Sequence, residues 1–152
     1  MAAWREAYKG FAIKQPRYRS SVERLVKNVQ AGRDLARVNA FVDLYNAVSL
    51  AHVLPLGADD LDQVTRRLHF AMRGGTTIRR HADAAGEGDA EPQAPKEGEV
   101  VYTDATKILC RRWNWRQDVR SLIGPQTTRA IVTVQANGAG DVEAAARQPR
   151  GP

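Results

Sequence analysis

The 152-residue chain contains one cysteine, Cys110, and three histidines. One thiol cannot close an internal disulfide, and no second Cys or His stands at metal-ligand spacing from it. Cys110 is therefore expected to be a small buried apolar group, as unpaired cysteines usually are. No run of about 18 apolar residues occurs, which excludes a membrane-spanning helix and makes a membrane partner unexpected. The opening MAAWREAYKG is charged from Arg5 onward and has neither an apolar h-region nor a small-residue cleavage site, so a cytoplasmic protein is the default expectation. Also missing are a phosphate-cradling glycine loop followed by Lys and Ser or Thr, a dinucleotide fingerprint, a nucleophile-elbow serine and a zinc-binding histidine pair. No metal or cofactor is implied. His52, His69 and His81 have no evident triad partner, and a lone histidine is more often structural than catalytic.

What the chain has in excess is positive charge, unevenly spread. Residues 1 to 80 carry 14 Lys or Arg against 7 Asp or Glu, residues 81 to 104 carry one base against 7 acids, and residues 105 to 152 carry 8 against 3. The bases thus lie on the two parts that read as folded. That pattern suits a polyanion such as RNA, and equally the solvated surface of an arginine-rich protein, since 18 of the 23 bases are Arg.

Periodicity divides the chain into a helical first half and a strand-rich second half. A helix is expected over roughly Ala3 to Gly10, before Pro16 interrupts. Ser20 and Glu23 make a capping box for the next, with Val22, Leu25, Val26 and Val29 as its apolar stripe and Gly32 as its stop. A third helix is expected from about Val38 to His52, ended by Pro55. It is apolar nearly all round, which predicts a central, buried element. Asp43 and Asn46 would then need partners inside it: either they anchor adjacent loops or they face a substrate. After this the period becomes two, in Leu68, Phe70 and Met72, in EVVYTD, in KILCRRW and in AIVTVQ. HADAAGEGDAEPQAPKEG, small and acidic, reads as a flexible loop over 81–98. DVEAAARQPRGP begins as a helix capped by Asp141 and stops at Pro149.

The densest cluster is CRRWNWRQ at 110–117. On a strand, Arg111, Trp113, Trp115 and Gln117 share one face and Cys110, Arg112, Asn114 and Arg116 the other. One face could offer aromatic platforms for stacking and the other a row of Arg112, Asn114 and Arg116 donors for phosphate or carbonyl oxygens. The alternative buries the tryptophans under a helix and leaves the arginines in solvent.

Four stretches, AYKGFAIKQPRYRSSVERLV, NAFVDLYNAVSLAHVLPLGADDLD, GEVVYTDATKILCRRWNWRQ and TTRAIVTVQ, resemble the freestanding relatives of the B3/B4 domain of the phenylalanyl-tRNA synthetase beta subunit. The resemblance covers roughly residues 5 to 146. It implies an α+β fold with helices packed on a mainly antiparallel, mixed sheet, forming one domain over residues 1–146 with a disordered tail at 147–152. It also implies tRNA or aminoacyl-tRNA as partner, and hydrolysis of the ester of a mischarged tRNA as activity. Asn46, Ser49, Arg112, Asn114 and Arg116 are the residues expected to line the site: the resemblance places CRRWNWRQ on an internal strand, with its tryptophans expected to be largely core and its Arg112, Asn114 and Arg116 row facing the pocket. Gly57 stands where the synthetase has its histidine, and Val134 where it has a glutamate, so no general base is evident. The alternative is a non-catalytic RNA-binding or protein-interaction module. The poor fit of LHFAMRGGTTIRRH and the early stop at QPRGP add the reading of an incomplete copy of the domain.

Overall fold

The computed structural model describes residues 1–14, 17–73 and 94–148. The Pro16 interruption, His81, most of the acidic 81–98 stretch and the end of the tail, 149–152, lie outside the described residues.

Three helices lead the chain: α1 (Ala2–Gly10), α2 (Ser21–Gln30) and α3 (Ala40–His52). Ser20 caps α2 by accepting the Glu23 N–H through its side chain, as the sequence predicts. The reciprocal half of the capping box does not form. Glu23 instead turns its carboxylate to Arg5 of α1, with Lys27 at 3.3 Å and Arg19 at 3.6 Å. The buried carboxylate finds more compensation among three cations than from one backbone N–H, and α1 is tied to α2 as a result.

Asn39 caps α3 by accepting from Val42 N at 2.9 Å. The expectation of a helix buried all round is corrected. Val42, Val48 and Ser49 are buried, whereas Phe41 and Leu44 are exposed. Asp43 takes the loop-anchoring role, accepting the Val38 N–H. The helix ends at Val53, held in the left-handed region at φ 54°, where the Leu54 N–H bonds to the Ser49 carbonyl. The Ser49 hydroxyl donates back to the Leu54 carbonyl at 2.6 Å, bracing this turn.

The strands follow as β1 (Leu56–Asp60), β2 (His69–Met72), β3 (Val100–Thr103), β4 (Ile108–Arg111), β5 (Arg116–Gln117) and β6 (Ala130–Val134), and the short α4 (Val142–Arg147) closes the series. The fold is α+β, as expected, with the strands divided between two sheets. β2-β3-β4-β5 forms one, β1-β6 the other, and every pairing is antiparallel. β3 is central and buried along its whole length, whereas β2 is an edge whose Phe70 is half exposed and stacks on Tyr102.

Two apolar clusters hold the layers. Val48, Leu54, Leu56 and Ala145 join α3, β1 and α4. Gly140, at φ 95°, lets the chain cross over Leu54, since a Cβ there would stand 2.7 Å from Leu54 Cδ2. Asp141 then caps α4, accepting from Ala144 N at 2.8 Å, and the packed Ala145 anchors a helix too short to stand alone. The second cluster is aromatic: Trp4, Tyr8 and Ile13, with Phe11, Tyr18 and Trp113 packed on them. No helix among the described residues is long and apolar enough to cross a membrane.

Candidate functional site

The segment 110–117 is not a continuous strand. β4 stops at Arg111, residues 112–115 form a hairpin loop, and β5 resumes at Arg116, paired with Arg111. Arg112 and Trp113 both have positive φ, 45° and 70°, a conformation that disfavours side chains. Packing on both sides of the loop holds it there. Trp113 inserts against Trp4 and Phe11, at ring separations of 5.0 and 5.2 Å. Arg112 lies over the Tyr18 ring at 3.9 Å and the Trp115 ring at 4.7 Å, with Glu99 at 4.0 Å.

The reversal breaks the two-residue alternation, so the expected Arg112, Asn114 and Arg116 row does not form. Asn114 and Arg116 line a cavity, whereas Arg112 points to a separate depression beside Ile13, Tyr18 and Glu99. Ser49 is bonded into the end of α3 and is absent from the cavity wall; Asn46, one turn earlier, lines it. Trp115 is half-buried and part of the wall, not the core.

The cavity, about 250 Å³, lies between the two sheets. β1 contributes Leu56 to Asp59, β6 and its continuation contribute Thr133 and Gln135, and the larger sheet contributes Tyr102, Cys110, Arg116 and Gln117. Arg24 of α2 and Tyr45 and Asn46 of α3 complete it. Gly57 and Thr133 face each other across the β1–β6 ladder, and a Cβ on Gly57 would meet Thr133 Oγ1 at an ordinary 3.7 Å. Val134, the next residue of β6, turns the other way into the cluster around Leu54.

A polar chain runs into the cavity from behind the hairpin. The buried Tyr8 hydroxyl donates to Asn114 Oδ1 at 2.7 Å, and Asn114 Nδ2 donates to Gln135 Oε1 at 2.8 Å. Burial pushes the Tyr8 pKa far above its ordinary value, so Tyr8 is always the donor and both amide orientations follow from it. The Gln135 NH2 is thereby left as a donor at the cavity.

Among the described residues, the one carboxylate on the cavity wall is Asp59, 4% exposed. Ser121 Oγ donates to its Oδ1 at 2.7 Å and Gln117 Nε2 at 2.9 Å. Burial raises its pKa, and the two hydrogen bonds and the charge of Lys107 only partly offset that. Tyr45 and Cys110 are each pushed up to about 12, by burial first and the Asp59 charge second, and Tyr102 is raised for the same reasons. These three stay neutral, leaving Asp59, Arg24 and Arg116 as the charged groups of the wall. Cys110 is only partly buried and lines the cavity, not the inert interior that its isolation in sequence suggested.

Family-model comparison identifies one match, to the B3/4 domain, over residues 3–149. The chain belongs to the B3/4 domain family. It is thus a domain related to phenylalanine-tRNA ligase, as the four sequence stretches suggested. No curated protein and no solved structure gives a match. Within this B3/4 domain, Asp59, Gln117 and Gln135 are among the lining residues that sequence reasoning missed, as is Arg24. Asp59 is one of three acids in ADDLD with nothing local to single it out, and the glutamines carry no motif. Their only sequence signal is adjacency, Gln135 to AIVTV and Gln117 to CRRWNWR. His52 contacts Gln148, His69 is exposed on β2, and neither lines the cavity. Among the described residues no cluster of His, Cys, Asp or Glu is arranged to hold a metal.

Proposed function

We propose that this B3/4 domain binds tRNA, seats the aminoacyl end in the cavity between the sheets, and hydrolyses the ester of a mischarged aminoacyl-tRNA. The observation that carries this is the cavity itself. A void of about 150 Å³ holds a benzene ring, so about 250 Å³ takes a ring-sized side chain with its α-carbon and ester. Its walls pair apolar and aromatic groups, Leu56, Tyr45, Tyr102 and Leu122, with a few polar ones, the usual make-up of a small-molecule site. Arg24 and Arg116 on the same wall suit the phosphates of the attached RNA.

Ester hydrolysis needs a positioned water and donors where the oxyanion develops. The Gln135 amide, fixed through Asn114 and Tyr8, and the Arg116 guanidinium are the donors assigned to that oxygen. Binding without hydrolysis is the second reading, favoured by Gly57: β1 presents only a hydrogen toward Thr133, where the synthetase carries a histidine.

The test is deacylation of a panel of mischarged tRNAs by the wild type and by Asn114→Ala, Arg116→Ala and Gly57→Leu. Hydrolysis above the spontaneous rate is expected, reduced at least tenfold in Arg116→Ala and abolished when the Gly57→Leu side chain fills the cavity. No hydrolysis by the wild type, with tRNA binding intact and weakening as salt rises, leaves the binding reading alone. Absent or salt-insensitive tRNA binding removes both.

A further inference from the structure

Asp59 is a buried carboxylate on the cavity wall, and no hydrogen bond or ion pair joins it to a cation among the described residues. Both hydrogen bonds that the described residues give it, from Ser121 Oγ and Gln117 Nε2, land on Oδ1. Both donors are neutral, and Oδ2 is left to the cavity. The nearby cations are engaged elsewhere: Lys107 donates to Asp104 and to the Gln63 carbonyl, and Arg24 to the Trp115 carbonyl at 2.8 Å. Arg116 lies over the Trp115 ring at 4.8 Å. A buried carboxylate normally has a cationic partner, because desolvating the charge costs more than neutral hydrogen bonds return. Tyr45, Tyr102 and Cys110 around it are neutral and cannot supply one.

The wall is therefore bipolar. A negative end sits at the buried Asp59 and a positive end at Arg24 and Arg116. An aminoacyl group on RNA has the complementary pair, an ammonium on its α-carbon and phosphates beyond its ester.

We propose that Asp59 is the residue by which the cavity recognises the protonated α-amine of its ligand, through a charge-assisted hydrogen bond from that ammonium to Oδ2. This rests on the reading of the cavity as an aminoacyl site and deepens it. Such a contact distinguishes an aminoacyl ester from one whose amine is blocked, because acylation removes the charge that Asp59 would pair with. A site built around a polar partner rejects a ligand that leaves that partner unmatched more strongly than an apolar pocket discriminates by size.

The experiment measures binding of 3′-aminoacylamino-adenosine, a non-hydrolysable mimic of the aminoacyl end, and of its N-acetyl derivative, by the wild type and by Asp59→Asn. Asn keeps an oxygen for Ser121 and Gln117, so the substitution removes charge without deleting the two hydrogen bonds. The wild type is expected to bind the free-amine compound at least tenfold more tightly than the acetylated one, and Asp59→Asn to lose most of that difference. Equal affinities in the wild type, which needs no variant to fold, overturn the inference while leaving the aminoacyl site standing. A difference that survives unchanged in Asp59→Asn overturns the assignment to Asp59. Binding of neither compound overturns the aminoacyl site and the inference together. A parallel titration with the corresponding free amino acid separates the two sources of an α-ammonium. Weaker binding than the adenosine conjugate supports the RNA-linked ligand, and equal or tighter binding assigns the same Asp59 contact to the amino acid itself.

Discussion

Asp59, at the cavity, and Asp104, in the turn between β3 and β4, are both buried aspartates, and their surroundings push them in opposite directions. Burial acts on Asp104 too, but the backbone N–H groups of Thr65, Thr106 and Lys107 and the Lys107 ammonium hold its carboxyl well below the ordinary carboxylate range. Asp59 has two neutral donors on one oxygen, and burial pushes its pKa up from the ordinary value. Glu99 resembles Asp104. The Arg111 guanidinium grips both its oxygens at 2.8 Å and outweighs its burial. Burial alone thus does not decide what an acid does. A carboxylate whose lone pairs are filled by donors and a cation holds the fold, and one left half satisfied beside a cavity is available to a ligand.

Removing the filled acid separates the two most strongly. Asp104→Ala strips the turn of its caps and leaves Lys107 buried without its carboxylate, so a loss of about 3–5 kcal/mol is expected in urea unfolding. A loss below about 1 kcal/mol shows that the network is ornamental.

Acid titration of stability gives the next effect. Asp104 and Glu99 have depressed pKa values in the folded state, so their contribution is present above the unfolded values, near pH 4, and is lost as pH falls toward the folded ones. Asp59 has the opposite sign: its raised pKa makes the folded state hold the proton more tightly, so its contribution declines as pH rises through the interval above its unfolded value. In Glu99→Gln the acid-side loss should shrink, and in Asp59→Asn it should steepen; the reverse order undoes the contrast.

The smallest effect is Asp59→Asn at neutral pH, expected to leave stability unchanged or to raise it by about 1 kcal/mol, as happens when a residue serves binding at the fold's expense. A loss above about 2 kcal/mol in thermal unfolding makes Asp59 a structural acid like Asp104.

The helices were legible because their signals are local. Ser20, Asn39 and Asp141 each cap a helix through a side chain that reaches an N–H three residues on. The hairpin at 112–115 was not, because nothing in CRRWNWRQ marks a turn: the positive φ values fall on Arg and Trp, and contacts with Trp4, Phe11 and Tyr18 impose them. That one unread turn turns Arg112 away from the cavity and leaves Asn114 and Arg116 on its wall. Asn46 lines the cavity as well, whereas the Ser49 hydroxyl braces the end of its own helix, which spacing along the helix cannot show.

By itself, then, the sequence determined the α+β class, the limits of the helices and the kinship with B3/4 domains, since periodicity, caps and long uncommon stretches are carried by neighbouring residues. Only the tertiary structure decided the cavity. Its wall joins β1 to β6 and the hairpin, so that Gln117 reaches Asp59 across 58 residues and Tyr8 orients Asn114 across 106. Which acid is filled and which is left open is a property of those distant partners, and no local pattern records it.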